Sequence, residues 1–340
     1  MTNGLIINGR YLSRRITGVE RYAREITRRF PIQARIGRSP RRVQGMAGHL
    51  WEQFMLPGLV QEDLLWSPAN SGPLAVKRQV VTIHDLTVLD HPEWFNPGFA
   101  AWYRFLIPHL AHRARKILAV SDYSRDRIIS RLGLSPAKVS VIPGGVDPAQ
   151  FHPIPKSAIT SFRRHFRLAE NYMLFLGSIE PRKNLLRLLK AWQRSSEAFP
   201  NVELVIAGGR GAQFAASGDQ TEPRVHYLGY FDDTYLAFLY AGAQALLMPS
   251  LDEGFGLPAL EAMACGTPVL AAASGALPEV LGGAALLVNP HSIEDIEKGI
   301  QKILTDLGLR QELITKGLCR AAQFSWDATA KQVLQALDLG

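Results

Sequence analysis

The sequence predicts an α/β protein built from two doubly wound domains. Three observations carry that expectation. Short apolar runs alternate with amphipathic stretches along the chain, and the alternation restarts after residue 165. Between the two series, residues 143–155 hold two glycines and four prolines. Alternation of this kind implies a parallel sheet with helices on both faces. A Gly/Pro cluster between periodic segments suits a connector. A length of 340 residues also fits about two domains. The expected division is 1–155, 156–322 and a last helical segment, 323–340.

In the first domain the runs 5–8, 64–67, 80–84, 117–120 and 139–143 are short and mostly apolar, and are expected as strands. Segments 19–30, 98–114 and 124–132 carry helical periodicity. In the second, the expected strands are 172–176, 202–207, 225–228, 245–248 and 269–272, and the helices 185–195, 233–241, 258–265 and 293–305. Ligands of open parallel sheets bind beyond the carboxyl ends of the strands. Residues just after strands are therefore the candidates, and two such domains facing each other would hold the site in the cleft between them.

Composition narrows the class. The hydrophobic fraction of 47% permits a sizeable core. No apolar stretch reaches the roughly 18 residues that cross a bilayer. The opening run, MTNGLIINGRYLSRR, has no basic region before its apolar part and reads as a first strand rather than a signal peptide. Cys265 and Cys319 show no metal spacing. A cytoplasmic protein, peripheral at most on the inner membrane face, is the expectation. His109 and His112 lack further ligands for a metal, and Asp232-Asp233 reads as a helix start, so no metal and no cofactor is expected.

Charge is uneven. Residues 1–150 carry 21 Lys+Arg against 11 Asp+Glu, while the remainder carries 17 against 19. The first fifty residues hold eleven Arg and two acids, Glu20 and Glu25. No nucleic-acid motif or aromatic interleaving accompanies these arginines, which argues against nucleic acid as a partner. The stretch Arg10–Arg42 better suits an anionic membrane surface or an acidic lipid-linked acceptor. A solvated basic face is the plainer alternative.

The most informative run is Glu253-Gly254-Phe255-Gly256-Leu257-Pro258-Ala259-Leu260-Glu261. Pro258 suits a first helical position, so Glu253 falls in the loop before the helix and Glu261 about one turn inside it. Backbone amides at a helix start form an anion site, and carboxylates accept hydrogen bonds from hydroxyls. Together they suit a sugar nucleotide. A second run, Gly177-Ser178-Ile179-Glu180-Pro181-Arg182-Lys183-Asn184, follows a strand and precedes a helix. Cations are disfavoured at a helix start unless an anion is present. Arg182 and Lys183 are therefore expected to stabilise the charge that develops on a departing phosphate.

Three further elements occupy the same topological place. His84, followed by Asp85, ends the strand-like run Val80-Val81-Thr82-Ile83. Gly18, in Ile16-Thr17-Gly18-Val19-Glu20-Arg21-Tyr22, allows close backbone approach at a helix start. Gly208-Gly209-Arg210-Gly211 reads as a βα turn near the nucleotide; it is not a dinucleotide fingerprint, which disfavours a dehydrogenase. Tyr230 or Phe231 would stack on the base or pack in the core.

The Glu253–Glu261 run resembles the E-x7-E signature of the retaining glycosyltransferases of the GT-B fold, in family 4. The resemblance implies two Rossmann-like domains facing across a cleft, with the C-terminal helix crossing back to the first. It assigns Glu253 to donor-sugar hydroxyls, Glu261 to the ribose, and the Gly254-Phe255-Gly256-Leu257 turn to the diphosphate, with Gly177 and Gly18 nearby. His84 would contact the donor sugar, with Asp85 orienting its ring, and the leaving phosphate would accept the acceptor's proton on the same face. Family members commonly show a glycine pair where this chain has Gly18 alone, so the match there rests on that residue. His49-Leu50-Trp51-Glu52-Gln53 with Leu56-Pro57, and Val120-Ser121-Asp122-Tyr123-Ser124, are similar to segments of the mannosyltransferase-like branch.

The expected activity is sugar transfer, with GDP-mannose as first donor, to a glycan or lipid-linked acceptor in surface-polysaccharide synthesis. UDP-glucose, UDP-galactose and dTDP-rhamnose are alternative donors. A nucleotide-sugar epimerase shares the fold, but the E-x7-E spacing counts against it. A catalytically silent nucleotide-sugar-binding subunit is disfavoured because every polar candidate is intact.

Overall fold

The computed structural model describes residues 4–30, 34–38, 43, 45–209 and 223–337. The chain divides into two compact units, one of residues 1–92, 97–145 and 324–340, the other of 93–96 and 146–323.

The first unit contains β1 (Leu5–Asn8), α1 (Gly18–Arg28), β2 (Arg35–Gly37), α2 (Gly45–Leu50), a π-helical turn (Trp51–Met55) and α3 (Leu56–Val60). It continues with β3 (Leu64–Ser67), β4 (Gln79–Ile83), α4 (Thr87–Asp90), α5 (Pro97–Arg113), β5 (Lys116–Ala119), α6 (Asp122–Leu132) and β6 (Val139–Val141). The strands are parallel in the order β2-β1-β3-β4-β5-β6. This is the flavodoxin-like doubly wound order, which reverses between β1 and β3. Every residue of β1, β3 and β4 is buried, which is why these strands read as near-continuous apolar runs. β2 escapes that signal because it is a three-residue edge strand that begins with exposed Arg35.

The second unit contains α7 (Lys156–Phe166), β7 (Asn171–Leu176), α8 (Leu185–Ser196), β8 (Val202–Ala207), β9 (Val225–Gly229) and α9 (Leu236–Gly242). It continues with β10 (Ala245–Met248), α10 (Leu257–Ala264), β11 (Val269–Ala272), α11 (Leu277–Leu281), β12 (Leu286–Val288), α12 (Ile293–Thr305) and α13 (Leu307–Ala321). Its parallel sheet runs β12-β11-β10-β7-β8-β9, the Rossmann order, with the reversal between β7 and β10. Phe175, Leu204, Leu247 and Leu270 from the sheet pack with Trp192 of α8 and Ile300 of α12 in one buried cluster.

The last helix, α14 (Trp326–Ala336), belongs to the first unit. Trp326 packs edge-on to Tyr22 of α1 at 5.9 Å between centroids, and Thr329 Oγ1 donates to the Pro143 carbonyl at 2.9 Å. A Cβ on Gly145 would stand 2.4 Å from the Trp326 nitrogen, so this approach requires glycine. Among the described residues no helix is long and apolar enough to cross a membrane.

Candidate active site

The switch point of the second unit collects the strongest sequence candidates. After β7, Gly177 turns with φ +149°, and the adjacent Gly208 after β8 with φ +139°. A Cβ on Gly208 would lie 1.8 Å from the Gly177 carbonyl oxygen, so the two loops meet only through glycine. Gly209 accepts from the Ile179 N–H at 3.1 Å. Arg210 and Gly211 lie outside the described residues. A short 3-10 turn, Pro181–Lys183, leads into α8. Asn184 follows with φ +60° and donates to the carbonyls of Pro249 (2.9 Å) and Pro290 (2.7 Å), tying this loop to the one after β10.

Across that tie, the Arg182 guanidinium and the Lys183 ammonium close on Glu253. Arg182 Nη1 donates to Glu253 Oε2 at 2.8 Å and Lys183 Nζ to Oε1 at 2.5 Å. Arg182 also grips Glu180 through Nε and Nη2 at 2.9 and 2.7 Å, and donates to the Asp252 carbonyl at 3.1 Å. Glu180, Lys183 and Glu253 are buried. The anion that lets two cations stand before a helix is thus the carboxylate of Glu253. Both of its oxygens are engaged by those cations, so the loop ends carry a preassembled acid–base cluster rather than an open carboxylate.

Burial opposes ionisation of Glu253, but Arg182 and Lys183 outweigh it and hold the carboxyl at about 2. A depressed pKa stabilises the fold above the ordinary value of 4.5, and that contribution is lost as pH falls toward about 2. Glu180 moves the other way: burial raises it against the pull of Arg182 and Lys183, with Glu253 adding to the rise.

The turn 254–257 sets the start of α10. Gly256 caps it with φ +105°, and a Cβ there would meet Leu277 Cδ2 at 2.7 Å. Leu257 is the first helical residue, so Pro258 takes the second position, one place later than the sequence suggests; its missing N–H is harmless there because the first turn has no carbonyl to serve. Phe255 and Leu257 are buried. Glu261 lies inside α10, buried, and its Oε2 accepts from Tyr240 Oη at 2.8 Å. Replacing Tyr240 by phenylalanine is expected to remove about 1.5–3 kcal/mol of stability, the range for a hydrogen bond to a charged group. The measurement is urea unfolding, and an unchanged midpoint would show that Glu261 does not depend on this bond.

Sequence reasoning missed Gly275. It has φ +62°, and a Cβ there would lie 2.6 Å from the Glu253 nitrogen and 2.7 Å from its carbonyl oxygen. Ala276 N–H donates to that carbonyl at 2.9 Å. The Ser274–Ala276 turn thus holds the Glu253 backbone in place. The signal lay in Ser274-Gly275, one residue beyond the run 269–272, just after a strand like the other candidates.

Tyr230 is 53% exposed. Phe231 packs against Phe166 at 5.0 Å and so serves the fold. Of the two aromatics, Tyr230 is therefore the one whose ring is accessible from solvent.

In the first unit, His84 follows β4 and is buried. Its Nε2 lies 2.8 Å from the Pro68 carbonyl, its N–H donates to Asn70 Oδ1 at 2.6 Å, and its ring meets Tyr22 edge-on at 5.0 Å. A carbonyl only accepts, so Nε2 carries the proton and Nδ1 presents a lone pair. Burial lowers the His84 pKa against the pull of the Pro68 bond and of Asp85, which keeps the ring neutral. Asp85 does not orient it: its Oδ1 accepts from the Thr87 N–H at 3.0 Å, at the start of α4, and Pro68 holds the ring instead. Gly18 opens α1, capped by the Thr17–Glu20 box.

A buried polar cluster occupies the switch point of this unit. Glu52, fully buried in the π turn, accepts from Asn8 Nδ2 (2.7 Å) at the end of β1 and Ser71 Oγ (2.8 Å) after β3, and pairs with Arg10 at 3.4 Å. Trp102 Nε1 donates to His49 Nδ1 at 2.9 Å, so that nitrogen is an acceptor and His49 is neutral. Burial also lowers the His49 pKa. The WEQ segment therefore works as a fold-holding network, with π geometry of the kind found at functional turns.

Residues 158–318 match the family model described as Glycosyl transferases group 1, and residues 20–150 match Glycosyltransferase Family 4. The chain is 34% identical over 275 residues to O-antigen chain mannosyltransferase B of Escherichia coli, covering 78% of this chain and 72% of that one. It is 30% identical to O-antigen chain mannosyltransferase RfbU of Salmonella typhimurium, over 80% of this chain and 72% of that one. Among solved structures, Anabaena Alr3699/HepE in complex with UDP and glucose aligns with a TM-score of 0.78 at 20% identity, covering 99% of this chain and 100% of that one. WaaG, a glycosyltransferase involved in lipopolysaccharide biosynthesis, aligns at 0.75 with 17% identity, covering 99% and 100%.

Proposed function

From the premise that the chain belongs to the glycosyl transferases group 1 of glycosyltransferase family 4, we propose that it transfers mannose from GDP-mannose, with retention, to a hydroxyl of a glycan or lipid-linked acceptor. The observation that carries the reading is the Glu253–Arg182–Lys183 cluster at the switch point between β7 and β10. The mannose donor is supported by the 34% identical O-antigen chain mannosyltransferase B.

The chemistry follows from charge. The bond from the anomeric carbon to the phosphate oxygen breaks and leaves negative charge on GDP. Arg182 and Lys183 stabilise that charge as it develops, together with the positive end of the α10 dipole. Glu253 holds the two cations in place beforehand and turns toward the sugar hydroxyls when the phosphate shares them. The acceptor oxygen bonds the same face of the anomeric carbon, and its proton passes to the departing phosphate. Neutral His84 offers Nδ1 as an acceptor for a sugar hydroxyl. Glu261, held by Tyr240, takes the ribose. Two cations at the diphosphate do the work a divalent metal does elsewhere, so the reaction is expected to proceed in a chelator.

The test is a panel of GDP, UDP, dTDP and their sugars, read first as thermal stabilisation. A ligand at 100 times its dissociation constant adds about 2.7 kcal/mol. GDP and GDP-mannose are expected to shift the transition, and GDP release should follow when acceptor is added. A shift with UDP or dTDP alone would overturn the donor while leaving the site; no shift with any nucleotide would overturn the site.

A further inference from the structure

One segment of the first unit gathers five of the twelve exposed large apolar side chains among the described residues. Phe54 is 75%, Met55 61%, Met46 58%, Leu50 53% and Leu59 49% exposed. Met46, Leu50 and Phe54 recur every four residues along α2 and the π turn, the spacing of neighbours on a helix surface. Met55 and Leu59 repeat the same interval beside them. The inward side of the segment is already committed: Trp51, Leu56 and Val60 pack with Ile6 and Leu65, and Glu52 enters the polar cluster.

Helix α5 lies alongside. Trp102 bonds His49 of α2, and the 72–74 loop receives both Gln53 (Nε2 to the Gly72 carbonyl, 2.9 Å) and Arg113 (Nε to the Leu74 carbonyl, 2.7 Å). Phe105, 48% exposed, stands 6.0 Å from the Trp102 ring and extends the apolar surface onto α5.

Within the segments that form this surface the exposed charge has one sign. Residues 45–61, 72–79 and 97–116 contain a single carboxylate, Glu52, which is 0% exposed. Lys77, Arg78, Arg104 and Arg113 in the same segments are exposed, and the next carboxylate along the chain is Glu62. The arginines of the N-terminal stretch behave differently. Arg10 pairs with Glu52, Arg14 with Glu20, Arg28 and Arg29 with Glu25, and Arg35 with Asp63. Those pairs offset part of the N-terminal positive charge with carboxylates; Arg41 and Arg42 lie outside the described residues.

We propose that the outer face of α2, the π turn, α3 and α5 docks the protein on an anionic lipid bilayer. The apolar side chains enter the boundary between headgroups and acyl chains, and the flanking cations meet the lipid phosphates. Charge selects this occupant over a second copy of the chain. A two-fold contact through the same face would bring these cations toward their own copies. The surface binds lipid whatever donor the enzyme uses, so it stands or falls apart from the transfer reading.

The experiment is flotation of the purified chain with phosphatidylglycerol–phosphatidylcholine vesicles, with phosphatidylcholine vesicles as the comparison. The wild type is expected to float with the anionic vesicles and to be released by high salt. Phe54→Asp combined with Phe105→Asp should lower the partition coefficient about tenfold or more, with an unchanged circular dichroism spectrum. Lys77→Glu combined with Arg104→Glu, which leaves every apolar residue in place, should abolish the preference for anionic vesicles. Equal flotation with both vesicle types, or unchanged flotation of the Asp variant, would overturn the proposal. So would a wild-type dimer in light scattering that the Asp variant converts to monomer while neither form floats.

Discussion

Lys183→Ala is expected to lower the rate of sugar transfer by about 10²–10³-fold, the loss seen when one preorganised donor to a developing anion is removed. The ammonium stands 2.5 Å from Glu253 and is buried, so alanine there leaves Glu253 Oε1 without its charged donor. The fold should survive, because Arg182 continues to neutralise Glu253 at 2.8 Å. Lys183→Arg keeps the charge but changes a compact ammonium for a planar fork, and should recover only part of the rate. Turnover of donor with the wild type and both variants, with unfolding temperatures as control, gives the answer. A folded Lys183→Ala enzyme within threefold of wild type would remove the cation from the chemistry.

Gly275→Ala is expected to damage stability and activity together. The left-handed backbone at φ +62° imposes about 1–2 kcal/mol on any residue with a Cβ. The contacts at 2.6 and 2.7 Å with the Glu253 backbone add about 1–3 kcal/mol of overpacking. Relief of that clash requires Glu253 to move, which misplaces the carboxylate between Arg182 and Lys183. Gly133→Ala separates the two effects. Gly133 has φ +63° with nothing within 4 Å of its Cβ position, so it carries the backbone term alone. Denaturant unfolding of both variants should show a clearly larger loss for Gly275→Ala, accompanied by loss of transfer. Equal losses and unimpaired transfer would show that the Ser274–Ala276 turn does not position Glu253.

The fold was legible where strands are buried on both faces. β3 and β8 lie where the apolar runs 64–67 and 202–207 place them, because such strands read as continuous hydrophobic stretches. Of the four edge strands, β6 and β9 were legible, while β2 and β12, with three residues each and exposed positions in both, were not. The interior of the candidate site was partly legible. Placing acids and cations just after strands identified Glu253, Arg182 and Lys183, since topology alone brings the ends of β7 and β10 together. Their pairing was not legible, because nothing in the spacing 182–253 indicates that the two cations grip that carboxylate. Asp85 misled for a local reason: an Asp two residues before a free helical N–H caps it more readily than it reaches a neighbouring ring. The partners of the N-terminal arginines were not legible either, because composition counts charges without their partners.

In the proposed reaction Arg182 and Lys183, held by Glu253, receive the diphosphate of a nucleotide sugar. Calorimetric titration of GDP and of guanosine into the wild type and into Lys183→Ala tests it without requiring an acceptor. GDP is expected to bind the wild type, guanosine far more weakly, and Lys183→Ala to lose most of the difference between them. Equal affinity for GDP and guanosine, or a variant that keeps the full difference, would contradict it.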